Sequence, residues 1–449
     1  MKKIIALLLA LIMVFALVAC GNGGTTNEKP ADTGASQPAE KPAETPAEKP
    51  AEDPVQNQPV EETPAPGVDY DNPIKIGHLA DLTGNEKSTG VLGQKAVDLA
   101  AKLINENGGI AGRAVEVITM DCQSDASIAA TNVRTLVEEH EVVAIIGPTQ
   151  MGHKQAVAPV AAEYEVPVMP YNGTPVFLTK KNEYFMSTGG GTAQMPTAMA
   201  DYLYNTLGLR TIYCITQEGT AGDNYVGPLK ANFEAMGGKV LEDIRIAGDD
   251  MDVSQELLRV TEDADALIGW LSGTQGVNLW TNWYDLKICE KMPLYGAVHG
   301  GFTDYFIWKQ LNNSRPEVVA EAMKQGVYAP INWAASIDND TNKALCEAWA
   351  AEFGEDAPGS NLPGAGYTSL ALIKNAIESI DGEVTGEAVY AALQNAECEG
   401  AEGHTTFGGG KVAIKDVHIV KVVALDGGNF NYEIVTTYSD VPVDGLTVG

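Results

Sequence analysis

Three short polar segments carry the residues best suited to hold a small molecule. They are Leu82-Thr83-Gly84 running on to Thr89, Thr149-Gln150-Met151-Gly152, and Asn172-Gly173-Thr174. Each follows an apolar run that reads as a strand, and ligands of open parallel sheets bind beyond the carboxyl ends of the strands. The second segment leads into a helix, whose first N–H groups lack intrahelical partners and can receive a carboxylate or another anion. The third brings a side-chain amide, a glycine and a hydroxyl together. Two later strand ends add Trp270 with Ser272, and Val298 with His299. Each candidate also has a plainer reading. Met151 can be a packing residue, Thr174 can brace its own turn, Trp270 can be core and His299 can be structural.

Reaction chemistry is absent from the sequence. No HExxH, GxSxG, Walker or GxGxxG pattern occurs in a suitable context. Asp338-Asn339-Asp340 opens like a calcium loop but lacks the glycine and terminal glutamate such a loop needs. The six histidines show no metal spacing, so no catalytic residue, cofactor or metal is expected. Gly408-Gly409-Gly410 reads as a tight turn between strands.

The elements that must position these loops alternate. Strands are expected at 74–80, 114–120, 142–146 and 166–169, with helices at 90–107, 126–139 and 151–163 between them. Leu92, Ala96, Leu99 and Leu103 share one face of the first helix. The continuous apolar run at 142–146 suits a strand buried on both faces. After Gly189-Gly190-Gly191 the pattern restarts, with strands at 211–216, 240–246, 266–271 and 293–298. Helices are expected there at 193–206, 224–236, 254–261 and 276–286. Helices return at 342–353, 367–379 and 386–395, and strands at 411–414, 417–425 and 430–437 close the chain. Alternation with short connections implies parallel pairing and right-handed crossovers. A body of this length exceeds one ordinary core, so two α/β lobes are expected.

The first twenty residues form an export leader: Lys2-Lys3, an apolar run from Ile4 to Ala19, then Cys20. The run is shorter than the roughly 20 residues a membrane span needs. Leu17-Val18-Ala19-Cys20 resembles the lipobox of bacterial lipoproteins, which implies lipidation of Cys20 and an anchor on the outer face of the bacterial cell membrane. Residues 21–72 hold nine prolines and four tandem Pro-Ala-Glu-X tetrads from Pro38 to Asp53. Such a segment buries too little apolar area to fold and acts as a semi-rigid tether. The formal charge of the chain is −31, which disfavours nucleic acid and anionic surfaces. Five scattered cysteines after Cys20 contain no CxxC pair, and Cys214 reads as a buried thiol.

Four stretches resemble the type I periplasmic solute-binding proteins of ABC importers, in their branched-chain amino-acid branch. They are Ile76-Gly77-His78-Leu79-Ala80-Asp81-Leu82-Thr83-Gly84; Ile104 through Arg113 with Asp121-Cys122-Gln123-Ser124-Asp125; Ile145-Ile146-Gly147-Pro148 with Ala156 to Val168; and Asn172-Gly173-Thr174. The resemblance implies two doubly wound lobes, 73–188 plus 328–403 and 189–327 plus 404–449, joined by three crossing strands with the ligand between them. It places the grip on the ligand's carboxylate and amino group at Met151, Gly152, Asn172, Gly173 and Thr174, although the family often has serine at the first of these. Tyr225, after Gly222-Asp223-Asn224, matches an aromatic segment of the family. Amino-acid binders usually set an acid near His299, yet none occurs before Asp304. The ligand therefore lacks a free amine, or the acid comes from elsewhere. The function implied is capture of a branched-chain amino acid or related small carboxylate or amide, delivered to a membrane permease. A ligand-presenting sensor shares the same site, and a surface hydrolase lacks a recognisable nucleophile.

Overall fold

The computed structural model describes residues 65–446 except 249, 262, 272 and 299–302. The leader, Cys20, most of the tether, Ser272 and His299 lie outside the described residues. No described helix is long and apolar enough to cross a membrane.

The first parallel sheet contains β1 (Asp69–Ala80), β2 (Arg113–Asp121), β3 (Ala144–Ile146) and β4 (Val168–Met169), in the order β2-β1-β3-β4. β1 opens at Asp69, inside the stretch expected to be tether. The helix Lys87–Glu106 turns Leu92, Ala96, Leu99 and Ile104 into the core. Gly90 lets it approach the sheet, since a Cβ there would lie 2.0 Å from the Asp81 carbonyl oxygen. The helix Ala126–Glu138 is started by Asp125, whose carboxylate accepts from the N–H groups of Ser127 and Ile128 at 2.7 and 3.1 Å. The second sheet repeats the plan with β5 (Thr211–Gln217), β6 (Lys239–Ile246), β7 (Ala266–Trp270) and β8 (Leu294–Gly296), ordered β6-β5-β7-β8. In both, strand order reverses beside the first strand of the sheet, which opens a crevice at its carboxyl end.

A third sheet, antiparallel, joins these bodies. It contains β9 (Tyr328–Ile331), β10 (Glu397–Gly400), β11 (Gly403–Thr406), β12 (Ile414–Ala424) and β13 (Phe430–Val441). β12 pairs with β11 at its start and with β9 farther along, so it runs from one body into the other. The cores divide accordingly. One packs residues 74–186 with 333–413, including Trp333, Trp349 and Phe407. Two others join residues of 198–334 to 417–441, and a fourth lies within 79–185.

Several expectations are corrected. The strand expected at 411–414 is not formed: β12 begins at Ile414 and covers the strand expected at 417–425, while Val412 makes an isolated bridge to Ser187. The helix expected at 254–261 is the short Ser254–Leu257. Helices Tyr305–Ser314 and Pro316–Gln325 were not anticipated, although Asp304 caps the first and Pro316 opens the second. Gly408 and Gly409 make the expected turn, at φ values of 56° and 82°. The five cysteines of the described residues are free thiols, and Cys214 is fully buried in β5.

Candidate functional site

The carboxyl ends of β1, β3, β5 and β7 converge on one cavity of about 350 Å³, within the size of small-molecule sites. From the first lobe come Glu86 and Thr89, then Thr149, Gln150, Met151 and Gly152, and finally Asn172 and Gly173. The second lobe contributes Gln217, Tyr225, Trp270, Val298, Asp304 and Phe306. The space is bounded on both sides, because a Cβ on Gly173 would sit 3.8 Å from Tyr225.

The helix Met151–Glu163 begins at Gln150 in extended conformation with no side-chain cap, so its first N–H groups are available to an anion. Asn172 fastens the neighbouring loop to it, donating from Nδ2 to the Thr149 carbonyl at 2.9 Å. Its Oδ1 is buried without a hydrogen-bond partner, which leaves an acceptor for a ligand N–H.

Lys154 was not among the expected residues. Its side chain is almost wholly buried, and Nζ donates to the carbonyls of Gly173 at 2.8 Å and Asn172 at 3.4 Å. No carboxylate pairs with it among the described residues. An ammonium has three N–H groups, so one remains for the cavity that Lys154 lines. Burial lowers its pKa to about 7. The signal was legible: Lys154 stands one helical turn after Met151 on the same face.

Acids face the same space. Glu86 is pushed up by burial and then by the charge of Asp81, while hydrogen bonds from Gln150 and Thr89 oppose the rise. Asp304 caps the helix Tyr305–Ser314, accepting from the Phe306 N–H at 3.3 Å. Tyr225 and Trp270 pack with ring centroids 4.9 Å apart, and burial lifts the Tyr225 phenol to about 12.

Met151, Gly152, Asn172, Gly173, Tyr225 and Trp270 therefore lie together. Thr83, Gly84 and Thr174 do not line the cavity. The Thr83 hydroxyl donates to Asp121 at 2.7 Å and holds its own loop. Thr174 is fully buried, its hydroxyl donating to the Asn172 carbonyl at 3.1 Å.

The sequence profile of the family described as "Periplasmic binding protein" matches residues 73–429. The chain belongs to the periplasmic binding protein family. A Leu/Ile/Val-binding protein homolog of Brucella abortus is 21% identical across 84% of this chain and 94% of its own length. A chemotactic signal transduction substrate-binding protein of Halobacterium salinarum is 34% identical over 111 residues, which is 24% of this chain and 27% of the relative. Among solved structures, the solute-binding protein of an ABC transporter from Rhodopseudomonas palustris, in complex with 3,4-dihydroxybenzoic acid, superposes with a TM-score of 0.70. It is 22% identical, covering 82% of this binding protein and 98% of the other chain. The two-lobed fold expected from the sequence is thus the fold found.

Proposed function

We propose that this binding protein captures a small carboxylate-bearing solute between its lobes and delivers it to an ABC importer. The observation that carries the reading is Lys154, a buried cation beside an uncapped helix start in a cleft walled by both lobes. The ligand carboxylate would take the N–H groups of Met151 and Gly152 and the third N–H of Lys154. For an amino acid, the ammonium would meet Asp304 or Glu86 and the Asn172 Oδ1. Tyr225, Trp270 and Phe306 would cover the side chain. A branched-chain amino acid is the leading ligand, in keeping with the Brucella relative's name. An aromatic carboxylate is the second reading, favoured by the Tyr225–Trp270 pair and the ligand of the Rhodopseudomonas structure.

The lobes would comprise 73–188 plus 328–403 and 189–327 plus 404–449, a division favoured by the way the cores pair distant segments. Ligand touching both lobes favours the closed state by its extra contacts there. The leader and Cys20 would place the protein on the outer membrane face, with 21–72 giving it reach toward the permease. Thr83, Gly84 and Thr174 would support the grip from behind.

Thermal-shift screening against amino acids, benzoates and small amides tests the reading. Stabilisation by one carboxylate class is expected, and no stabilisation by any member would overturn it. Asp304→Asn combined with Glu86→Gln separates the alternatives: an amine-bearing ligand loses affinity, whereas a benzoate keeps it.

A further inference from the structure

We propose that Asp81, Cys122 and His153 form a site for one thiophilic divalent cation of the zinc class, behind the cleft-facing edge of the first sheet. Three elements meet there. Asp81 follows β1 and Cys122 follows the adjacent β2, joined by a hydrogen bond from the Cys122 N–H to the Ala80 carbonyl at 2.8 Å. His153 lies in the first turn of the helix Met151–Glu163. The three ligand atoms lie within 4.8 Å of one another, and the residues are only 2%, 0% and 4% exposed.

His153 supplies the independent observation. Its Nδ1 is buried without a hydrogen-bond partner. It points at Asp81 Oδ2 from 3.6 Å, too far for a hydrogen bond. A buried nitrogen of this kind needs a partner that the protein does not supply. The other groups are already oriented. The Ser124 N–H donates to Asp81 Oδ1 at 2.8 Å and leaves Oδ2 turned inward. Cys122 makes only long contacts: its thiol lies 3.9 Å from the Met120 carbonyl, and Asn132 Nδ2 approaches the sulfur at 3.9 Å.

The surrounding field suits a cation. Asp121 acts on Asp81, Asp81 acts on Glu86, and Asp125 interacts electrostatically with His153. The ammonium of neighbouring Lys154 is turned instead to the carbonyl of Gly173. A nitrogen, a sulfur and a carboxylate oxygen match zinc with a fourth position open to water, while calcium and magnesium want more oxygens. Bond lengths of about 2.0–2.3 Å at tetrahedral angles imply ligand separations of roughly 3.3–3.6 Å. The Asp81–His153 edge, at 3.6 Å, meets that separation, and the sulfur, within 4.8 Å of both partners, must close in by at most about 1.3 Å. On binding, the Cys122 thiol gives its proton to solvent and the sulfur lone pair forms the metal bond. The cation would then link the loop before Lys87 to the start of the helix that receives the ligand.

The test uses the full chain, stripped with a chelator and titrated with cobalt and then zinc. One cobalt per chain is expected, with a thiolate charge-transfer band in the near ultraviolet that zinc abolishes. Cys122→Ser should lose the band, and His153→Ala should weaken binding at least tenfold. Replacing Cys289 and Cys346 should leave the band intact. Absence of stoichiometric cobalt binding in the unmodified chain would mean that Asp81 and His153 form an ion pair only, and would overturn the site. So would a band that survives Cys122→Ser. The unmodified chain decides even if a variant fails to fold. Neither result bears on whether the cleft binds a carboxylate.

Discussion

At the scale of the residue, the proposed grip on a carboxylate turns on Lys154. Removing its charge while keeping its bulk, as in Lys154→Met, leaves the Asn172 and Gly173 carbonyls in place and takes away the donor. A charge-assisted hydrogen bond contributes about 1.5–3 kcal/mol, so affinity for a carboxylate should fall roughly tenfold or more by calorimetry. The pH dependence has a definite sign. Lys154 titrates at about 7 when folded, against 10.5 when exposed. Below pH 7 the buried charge disfavours the fold in full. Between 7 and 10.5 the unfolded chain holds more protons, so this group makes ligand-free stability rise with pH. An anionic ligand favours the protonated lysine, so affinity should weaken as pH climbs above 7. Lys154→Met should flatten that limb.

At the scale of the element, the loop after β1 is held by Asp121 at the end of β2. Its Oδ1 accepts from the N–H groups of Leu82 at 2.9 Å, Thr83 at 3.2 Å and Gln123 at 2.8 Å, and Oδ2 from the Thr83 hydroxyl at 2.7 Å. Burial alone would raise its pKa, but these bonds, led by Thr83, hold it below the usual carboxylate range. A carboxyl lowered on folding stabilises above its unfolded pKa, and the effect fades as pH falls through the folded value. Asp121→Ala should therefore lower the midpoint of thermal unfolding at neutral pH and change it little in strong acid. The loss should be about 1–2 kcal/mol at most, because the group is partly exposed and solvent screens it. Thr83 earned notice in the sequence as a ligand candidate, but the element uses it as a brace.

At the scale of the whole molecule, the crossings between lobes are tied by buried polar groups. Lys415 on β12 pairs with Glu402 at 2.8 Å and donates to the Thr188 carbonyl at 3.0 Å, with both charged side chains 1% exposed. Gln194 joins three segments, accepting from the Gly191 N–H and donating to the carbonyls of Ala413 and Val441. Removing one partner of a buried pair leaves an uncompensated charge, so Lys415→Met should lose about 3–5 kcal/mol in denaturant unfolding. Lys415→Met with Glu402→Leu should recover much of that loss. Closure is the second prediction at this scale: small-angle scattering should show a smaller radius of gyration with ligand than without it, and Lys154→Met should need more ligand to reach it.

The sequence by itself determined the alternation of strands and helices, the two-lobed class and the loops that reach the cleft, because periodic burial and strand-end loops are local patterns. Met151, Gly152, Asn172, Gly173 and Trp270 were legible for that reason, and Tyr225 through the family resemblance. In the antiparallel sheet β12 and β13 were legible, but β9, β10 and β11 were not, since each is four residues long, too short to show a period, and β9 finds its partner β12 far along the chain. Nor was the division of labour among neighbours. Thr83 and Thr174 brace their own loops and do not line the cavity. Only the packing of one lobe against the other settles which side of a loop meets solvent, protein or ligand.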